Sequence, residues 1–194
     1  MEGDLLVRHA NLLMRKLIIL GLLGALATLP GSTLRQLTLD DMIRQSTMIV
    51  HGTVQPGIVS SRGSMIFSHY TVQVSETYKS PASQPASQID FGVPGGSLNG
   101  LIQRYSGAPS LTAGQDYVLF LWTSKTGLTQ IIGLSQGLFS VISTPGGAPT
   151  VVSAGTAERM LNSAGQPVGV STISMTLTAL KAEIASVLNG QSAQ

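Results

Sequence analysis

The stretch MIFSHYTVQVSETY, residues 65–78, alternates along its length. Ile66, Tyr70, Val72 and Val74 fall on one face, with the small Ser68 among them; His69, Thr71, Gln73 and Ser75 fall on the other. A period of two over this length specifies a β-strand with one buried face. Upstream, TMIVHGTVQPGIVSS (47–61) reads as a second strand bent at Pro56-Gly57, and Arg62-Gly63-Ser64 turns the chain between them. The two form a long hairpin. Folding it about residues 62–63 sets His69 opposite Pro56 and His51 opposite Val74, so the two histidines are not cross-strand neighbours.

Working outward, IDFGV (89–93), DYVLFLW (116–122), TQIIG (129–133), GLFSVIS (137–143) and TVVS (150–153) read as further strands. DYVLFLW suits a strand buried on both faces and places Trp122 in the core. TPGGAP (144–149) is a hairpin turn, residues 79–88 are a Pro/Ser/Ala linker, and 155–171 carry no clear period. Thr38-Leu-Asp-Asp41 is a capping-box start for a short helix over 39–46, a lid on one end of a barrel. From Ser174 the spacing of Leu177, Leu180, Ile184, Val187 and Leu188 becomes helical, with Asn189-Gly190 as the stop. This amphipathic helix, about 174–189, packs on the barrel; a partner-binding role is the alternative. The fold expected is mainly β: an OB-like, partly open barrel of six to eight strands with a short N-terminal helix and a C-terminal helix.

Composition agrees with that class. Of 194 residues 43% are hydrophobic and only 10% charged, with 22 Gly and 9 Pro, which suits strands joined by turns rather than long surface helices. Disorder needs the opposite balance. The absence of cysteine excludes disulfides, thiol catalysis, Cys-ligated metals and a lipidated N-terminal Cys. The pI of about 9.2 is mostly a property of the first residues. From residue 33 onward eight Lys/Arg face seven Asp/Glu, which leaves no basic footprint for nucleic acid.

Met14-Arg15-Lys16, the apolar run LIILGLLGALATL (17–29) and Pro30-Gly31-Ser32 form a secretion-signal pattern, with Ala25-Leu26-Ala27 as a cleavage site. As a helix the run spans only ~20 Å, short of the ~30 Å hydrocarbon core, so it reads as a cleaved signal over residues 1–32 rather than an anchor. Met14 is an alternative start. The domain expected over 33–190 is therefore secreted or periplasmic, touching a membrane only through an uncleaved leader.

No catalytic constellation emerges. Gly133-Leu-Ser135-Gln-Gly137 matches G-x-S-x-G, but the nucleophile elbow needs a following helix and a histidine later in the chain. Here a strand pattern follows, and the last histidine is His69. The seven acids after residue 32 show no metal-ligand spacing, and no phosphate-binding glycine loop is present; no cofactor is expected. Pro94–Pro109, PGGSLNGLIQRYSGAP, is long and irregular enough to be a functional loop. Its Asn99, Gln103, Arg104 and Tyr105, with His69, Thr71 and Gln73 of the neighbouring strand's polar face, make up the candidate binding surface. A structural cover over an open barrel end is the alternative for the loop.

STMIVHGTV (46–54), HYTVQVSETYKSP (69–81) and LTAGQDYVLFL (111–121) together resemble netrin-like domains and the related metalloproteinase inhibitors. The resemblance covers residues 47–122 and implies a five-stranded OB-type barrel with flanking helices. The VPGG loop (93–96) and LSQG turn (134–137) also resemble uncharacterised exported bacterial proteins. Those inhibitors chelate zinc through an N-terminal cysteine, which this chain lacks, so that mechanism has no residue to act through. The resulting expectation is a non-enzymatic exported binding module with a protein or an envelope glycan as partner. The alternatives are a loop-acting regulator or inhibitor of a secreted protease, and a hydrolase built on convergent carboxylates or a His–nucleophile pair in a pocket.

Overall fold

The computed structural model describes residues 33–81, 86–156 and 158–192, which belong to one compact unit. The signal and cleavage site expected over 1–32 lie outside the described residues. Among the described residues, no helix is long and apolar enough to cross a membrane.

The alternating stretch forms the longest strand, β4 (Met65–Lys79), and organises the main sheet. On one edge its first half pairs with β3 (Ile58–Arg62) and its second half with β2 (Met48–Val54); on the other edge it pairs with β5 (Gln88–Pro94). β2 continues the sheet to β8 (Asp116–Thr123), which pairs on its far edge with both β9 (Thr129–Ile131) and β10 (Leu138–Ile142). β11 (Thr150–Ser153) and β14 (Ser174–Thr176) complete it. Every pairing in this sheet is antiparallel.

Three irregularities curl the sheet. The β2–β4 register shifts twice, at Ile49/Val50 and at His51/Gly52, and β2 gives way to β3 at Gln55-Pro56-Gly57. Bulges bend a strand and increase its local twist. The hairpin itself turns about Gly63-Ser64, so His69 lies opposite Ile58 and His51 opposite Glu76, two residues from the simple fold-back. The curl brings β5 close to β9, yet no ladder joins them, and the described residues form no closed barrel.

Both faces of the curled sheet are buried. Val50, Val54, Val72, Phe91, Leu119 and Leu121 lie inside the curl, where Tyr70 and Val74 pack against them. Ile49, Val118, Phe120, Phe139 and Val151 face outward under two helices, α1 (Leu39–Gln45) and α2 (Leu177–Ser192). β8 therefore alternates between two cores, and Tyr117 to Leu121 are all buried. The strand outruns that double cover: Trp122 is 44% exposed, which corrects its placement in the core.

α1 begins with the capping box, Thr38 Oγ1 accepting from the Asp41 N–H while the Asp41 carboxylate receives the Thr38 N–H. Its Met42 and Ile43 are buried against the sheet's outer face, beside α2, rather than over a barrel end. α2 starts at Leu177, not Ser174, because Ser174–Thr176 pairs with β11, and it runs through Asn189-Gly190 to Ser192. The stretch 155–171 also holds order. β12 (Arg159–Leu161) joins β1 (Thr33–Arg35) in parallel and β13 (Pro167–Val168) antiparallel, forming a small second sheet. Among the described residues fourteen strands thus replace the six to eight expected, although only β2, β3, β4, β5, β8 and β10 have five or more residues.

Candidate functional site

The Pro94–Pro109 segment is irregular only in part. Gly96–Leu98 (β6) and Leu101–Gln103 (β7) pair as a hairpin about Asn99-Gly100, whose φ values of 50° and 81° make the doubly left-handed turn such loops need. Asn99 is therefore a turn residue. The Asn-Gly pair between Leu98 and Leu101-Ile102 was the local signal for this hairpin, obscured by the surrounding glycines.

Gln103 fastens the hairpin to the sheet. Its Oε1 accepts the Ile66 N–H at 2.6 Å and its Nε2 donates to the Ser64 carbonyl at 3.2 Å. Gly96 lies so close to β3 and β4 that a Cβ would come 2.9 Å from Val59 Cγ1 and 3.0 Å from Ser68 Oγ. Just beyond, the Ala108 N–H bonds the Tyr105 carbonyl at 3.1 Å, and Tyr117 Oη accepts the Thr112 N–H at 3.1 Å. The segment carrying Arg104 and Tyr105 is held at both ends.

Two open grooves result, with Tyr70 as a common wall. The first is lined by Pro56, Ile58, Ser60, His69, Tyr70, Thr71 and Asp90. The second runs from Ser68 and Tyr70 past Val93–Gly96 to Gln103, Arg104, Tyr105 and Ala108–Leu111. Their cavity volumes are about 490 and 400 Å³, within the ~300–1,000 Å³ of small-ligand sites. Tyr70 reaches both because the chain bends beside it. Its ring lies 5.9 Å from that of Phe91, and a Cβ on Gly57 would come within 2.9 Å of its Cδ1 and Cε1.

Of the sequence candidates, His69 and Thr71 line the first groove and Gln103, Arg104 and Tyr105 the second. Gln73 lies apart, hydrogen-bonded to Gln88 at 2.8 Å and to the Ser87 carbonyl. Tyr70, Asp90, Ser60 and Ile58 are residues the sequence did not single out. Tyr70 read as core because its strand face is apolar; the Pro56-Gly57 break was the only hint that this face opens there.

The first groove carries titratable and nucleophilic groups. Ser60 Oγ and His69 Nε2 are 2.8 Å apart, and Thr71 Oγ1 donates to Asp90 Oδ1. Ser60 and His69 thus have the spacing of a nucleophile–base pair. Among the described residues no carboxylate is hydrogen-bonded to His69, and Asp90 is engaged by Thr71. Ser135 is a poorer nucleophile. The turn at 133–137 leads into β10, Leu134 holds φ 60°, and the buried Ser135 Oγ has no partner. Its glycines serve packing, since a Cβ on Gly137 would come within 2.8 Å of Ile132 Cγ2.

A separate polar cluster sits on the sheet's outer face. His51 Nε2 meets Asp116 Oδ2 at 2.8 Å, Lys181 Nζ meets Glu76 Oε1 at 2.7 Å, and Tyr78 Oη donates to Glu76 Oε2 at 3.2 Å. Burial, and then the Glu76 carboxylate, push the Tyr78 phenol well above its ordinary range. These contacts tie α2 to β4. Among the described residues, no group of three or more His, Asp or Glu side chains is arranged to hold a metal ion. No family model matches the chain, and no curated protein or solved structure is similar to it, so its function has to be argued from these grooves.

Proposed function

We propose that the chain is an exported, non-enzymatic binding module that takes an envelope glycan across the two grooves beside Tyr70. The observation that carries this reading is the juxtaposition itself. A half-buried tyrosine lies between two concave, polar grooves held by a fastened hairpin, and five of the seven sequence candidates line them. Ring faces with hydroxyl, amide and carboxylate groups around them suit sugars, which offer C–H faces and rings of hydroxyls. A stable protein interface more often needs 1,200–2,000 Å² around an apolar centre. The curled sheet also supports an OB-like half-barrel, opened where β5 and β9 approach without pairing. Such barrels bind along an open face and its loops, which is an argument by analogy of fold.

Affinity capture on the immobilised protein tests the reading, using an extracytoplasmic fraction split into saccharide and protein portions. A saccharide should be retained by the wild type and lost with Asp90→Arg or with a replaced 95–108 hairpin. Capture of protein alone would transfer the function to a protein partner, and no capture by a folded bait would end it.

A second reading, a hydrolase, is favoured by one observation: the 2.8 Å Ser60–His69 pair in a groove. A fluorophosphonate probe decides it. Labelling at Ser60, abolished in His69→Ala, would establish a nucleophile; an unlabelled wild type would leave the pair as part of the groove wall.

A further inference from the structure

We infer that the hairpin-side groove is a carboxylate subsite, and that the glycan taken across Tyr70 is a carboxylated one. This rests on the binding reading above and specifies its ligand. The two grooves differ in charge although they share a wall. The first holds Asp90 and His69. The second holds one charged side chain, Arg104, and no acid. The local sequence is as one-sided: between Asp90 and Asp116 there is no Asp or Glu, and Arg104 is the only cation.

Arg104 is exposed, and the ion pairs of the described residues are Arg44–Asp40, His51–Asp116 and Lys181–Glu76, so no carboxylate among the described residues occupies its guanidinium. The position of Arg104 is set by its neighbours. Gln103 uses both ends of its amide on Ser64 and Ile66, and the Tyr105–Ala108 turn fixes the other side. Ser68 is likewise engaged, donating to the Gly95 carbonyl at 2.9 Å. The donors left facing the groove are the Arg104 guanidinium and the hydroxyls of Tyr70, Tyr105 and Ser110, none with a protein partner among the described residues. A donor-rich, acid-free groove selects an anionic acceptor, and a guanidinium fork matches a planar carboxylate in particular. The Asp90 groove, acceptor-bearing, suits the hydroxyls of the adjoining sugar.

The test is binding of the protein to saccharides immobilised in pairs, each uronic acid or other carboxylated sugar beside its methyl ester. The acid member should be bound at least about tenfold more tightly than the ester, the scale of one charge-assisted pair. Arg104→Ala should bring the acid down to the level of the ester, and Arg104→Lys should keep part of the preference. Arg104 lies outside both cores, and an unchanged melting temperature verifies that the variant is folded. Equal binding of acid and ester, or an Arg104→Ala variant that still prefers the acid, overturns the carboxylate subsite while the binding reading stands. If the wild type retains no saccharide of either kind, the glycan reading falls with it.

Discussion

Replacing Gly57 by alanine probes the bend on which the grooves depend. A Cβ at this position would lie 2.6 Å from the His69 carbonyl oxygen and 2.9 Å from two carbons of the Tyr70 ring. Relaxed carbon–oxygen contacts are ~3.3 Å or longer, so the backbone has to yield by about 0.7 Å. It is anchored on both sides: the Gln55 N–H bonds the Thr71 carbonyl at 2.8 Å, and Ile58 pairs with His69. Overpacking of this kind costs ~1–3 kcal/mol. The loss of glycine's unfolded-state freedom returns ~0.4–1 kcal/mol, since Gly57 holds no positive φ. The net expectation is a destabilisation of roughly 0–2.6 kcal/mol, centred near ~1.3 kcal/mol or about 3–5 °C in melting temperature for a domain of this size. Gly155→Ala is the matched control, because a Cβ there meets nothing within 4 Å and its φ is not positive; it should be neutral or slightly stabilising. Differential scanning calorimetry of the three proteins gives the answer. If Gly57→Ala melts as high as the Gly155→Ala control, no overpacking cost exists, Tyr70 does not pack against the bend and the shared-wall geometry is wrong.

Three further outcomes are expected. Phe120→Ala removes a fully buried ring 5.2 Å from Phe139 and should cost ~3–5 kcal/mol in chemical denaturation. A cost below ~1 kcal/mol would mean that the outer core is not packed as described. Thr38→Ala removes the α1 cap and should cost ~1 kcal/mol. The cap also lowers the Asp41 carboxyl pKa, so stability supplied by this group is complete above the unfolded carboxylate value and lost as pH falls through the folded one. The wild type should therefore lose more stability than Thr38→Ala between pH 5 and 2. Tyr78 has the opposite sign. With the folded pKa raised, its contribution is intact below the free phenol's value of ~10 and declines as pH climbs through that value toward the folded one. Tyr78→Phe should flatten the alkaline limb of a stability–pH curve; an unchanged limb would refute the burial of the phenol.

The candidate site was half legible. His69 and Thr71 followed from strand parity, and Arg104 and Tyr105 from a stretch without regular period. Gln73 and Asn99 belonged to the same patterns but serve a lateral hydrogen bond and a turn. Gln103 lines the groove while its amide fastens the hairpin. Parity assigns a face to a residue but does not say what lies opposite that face. Asp90 could not be assigned from sequence, because only the β4–β5 register, which sets Thr71 opposite Asp90, brings it to the groove.

Local chemistry was sufficient wherever a few neighbouring residues decide the conformation. The β4 alternation, the Thr38–Asp41 box, the Pro56-Gly57 break and the helical spacing from Leu177 onward each act over one turn or one pleat. Tertiary structure decided what required partners from afar. The strand at Ser174–Thr176 exists because β11 offers it a ladder, and the short β12 is held between β13 and β1, the latter more than a hundred residues away. Trp122 is exposed at the end of β8, beyond the run Tyr117–Leu121 that both cores bury, whatever its hydrophobicity. Tyr70, apolar-faced by parity, borders two grooves because a bulged and bent sheet opens beside it. Burial and concavity are properties of packed neighbours, and the periodicity of a single strand does not contain them.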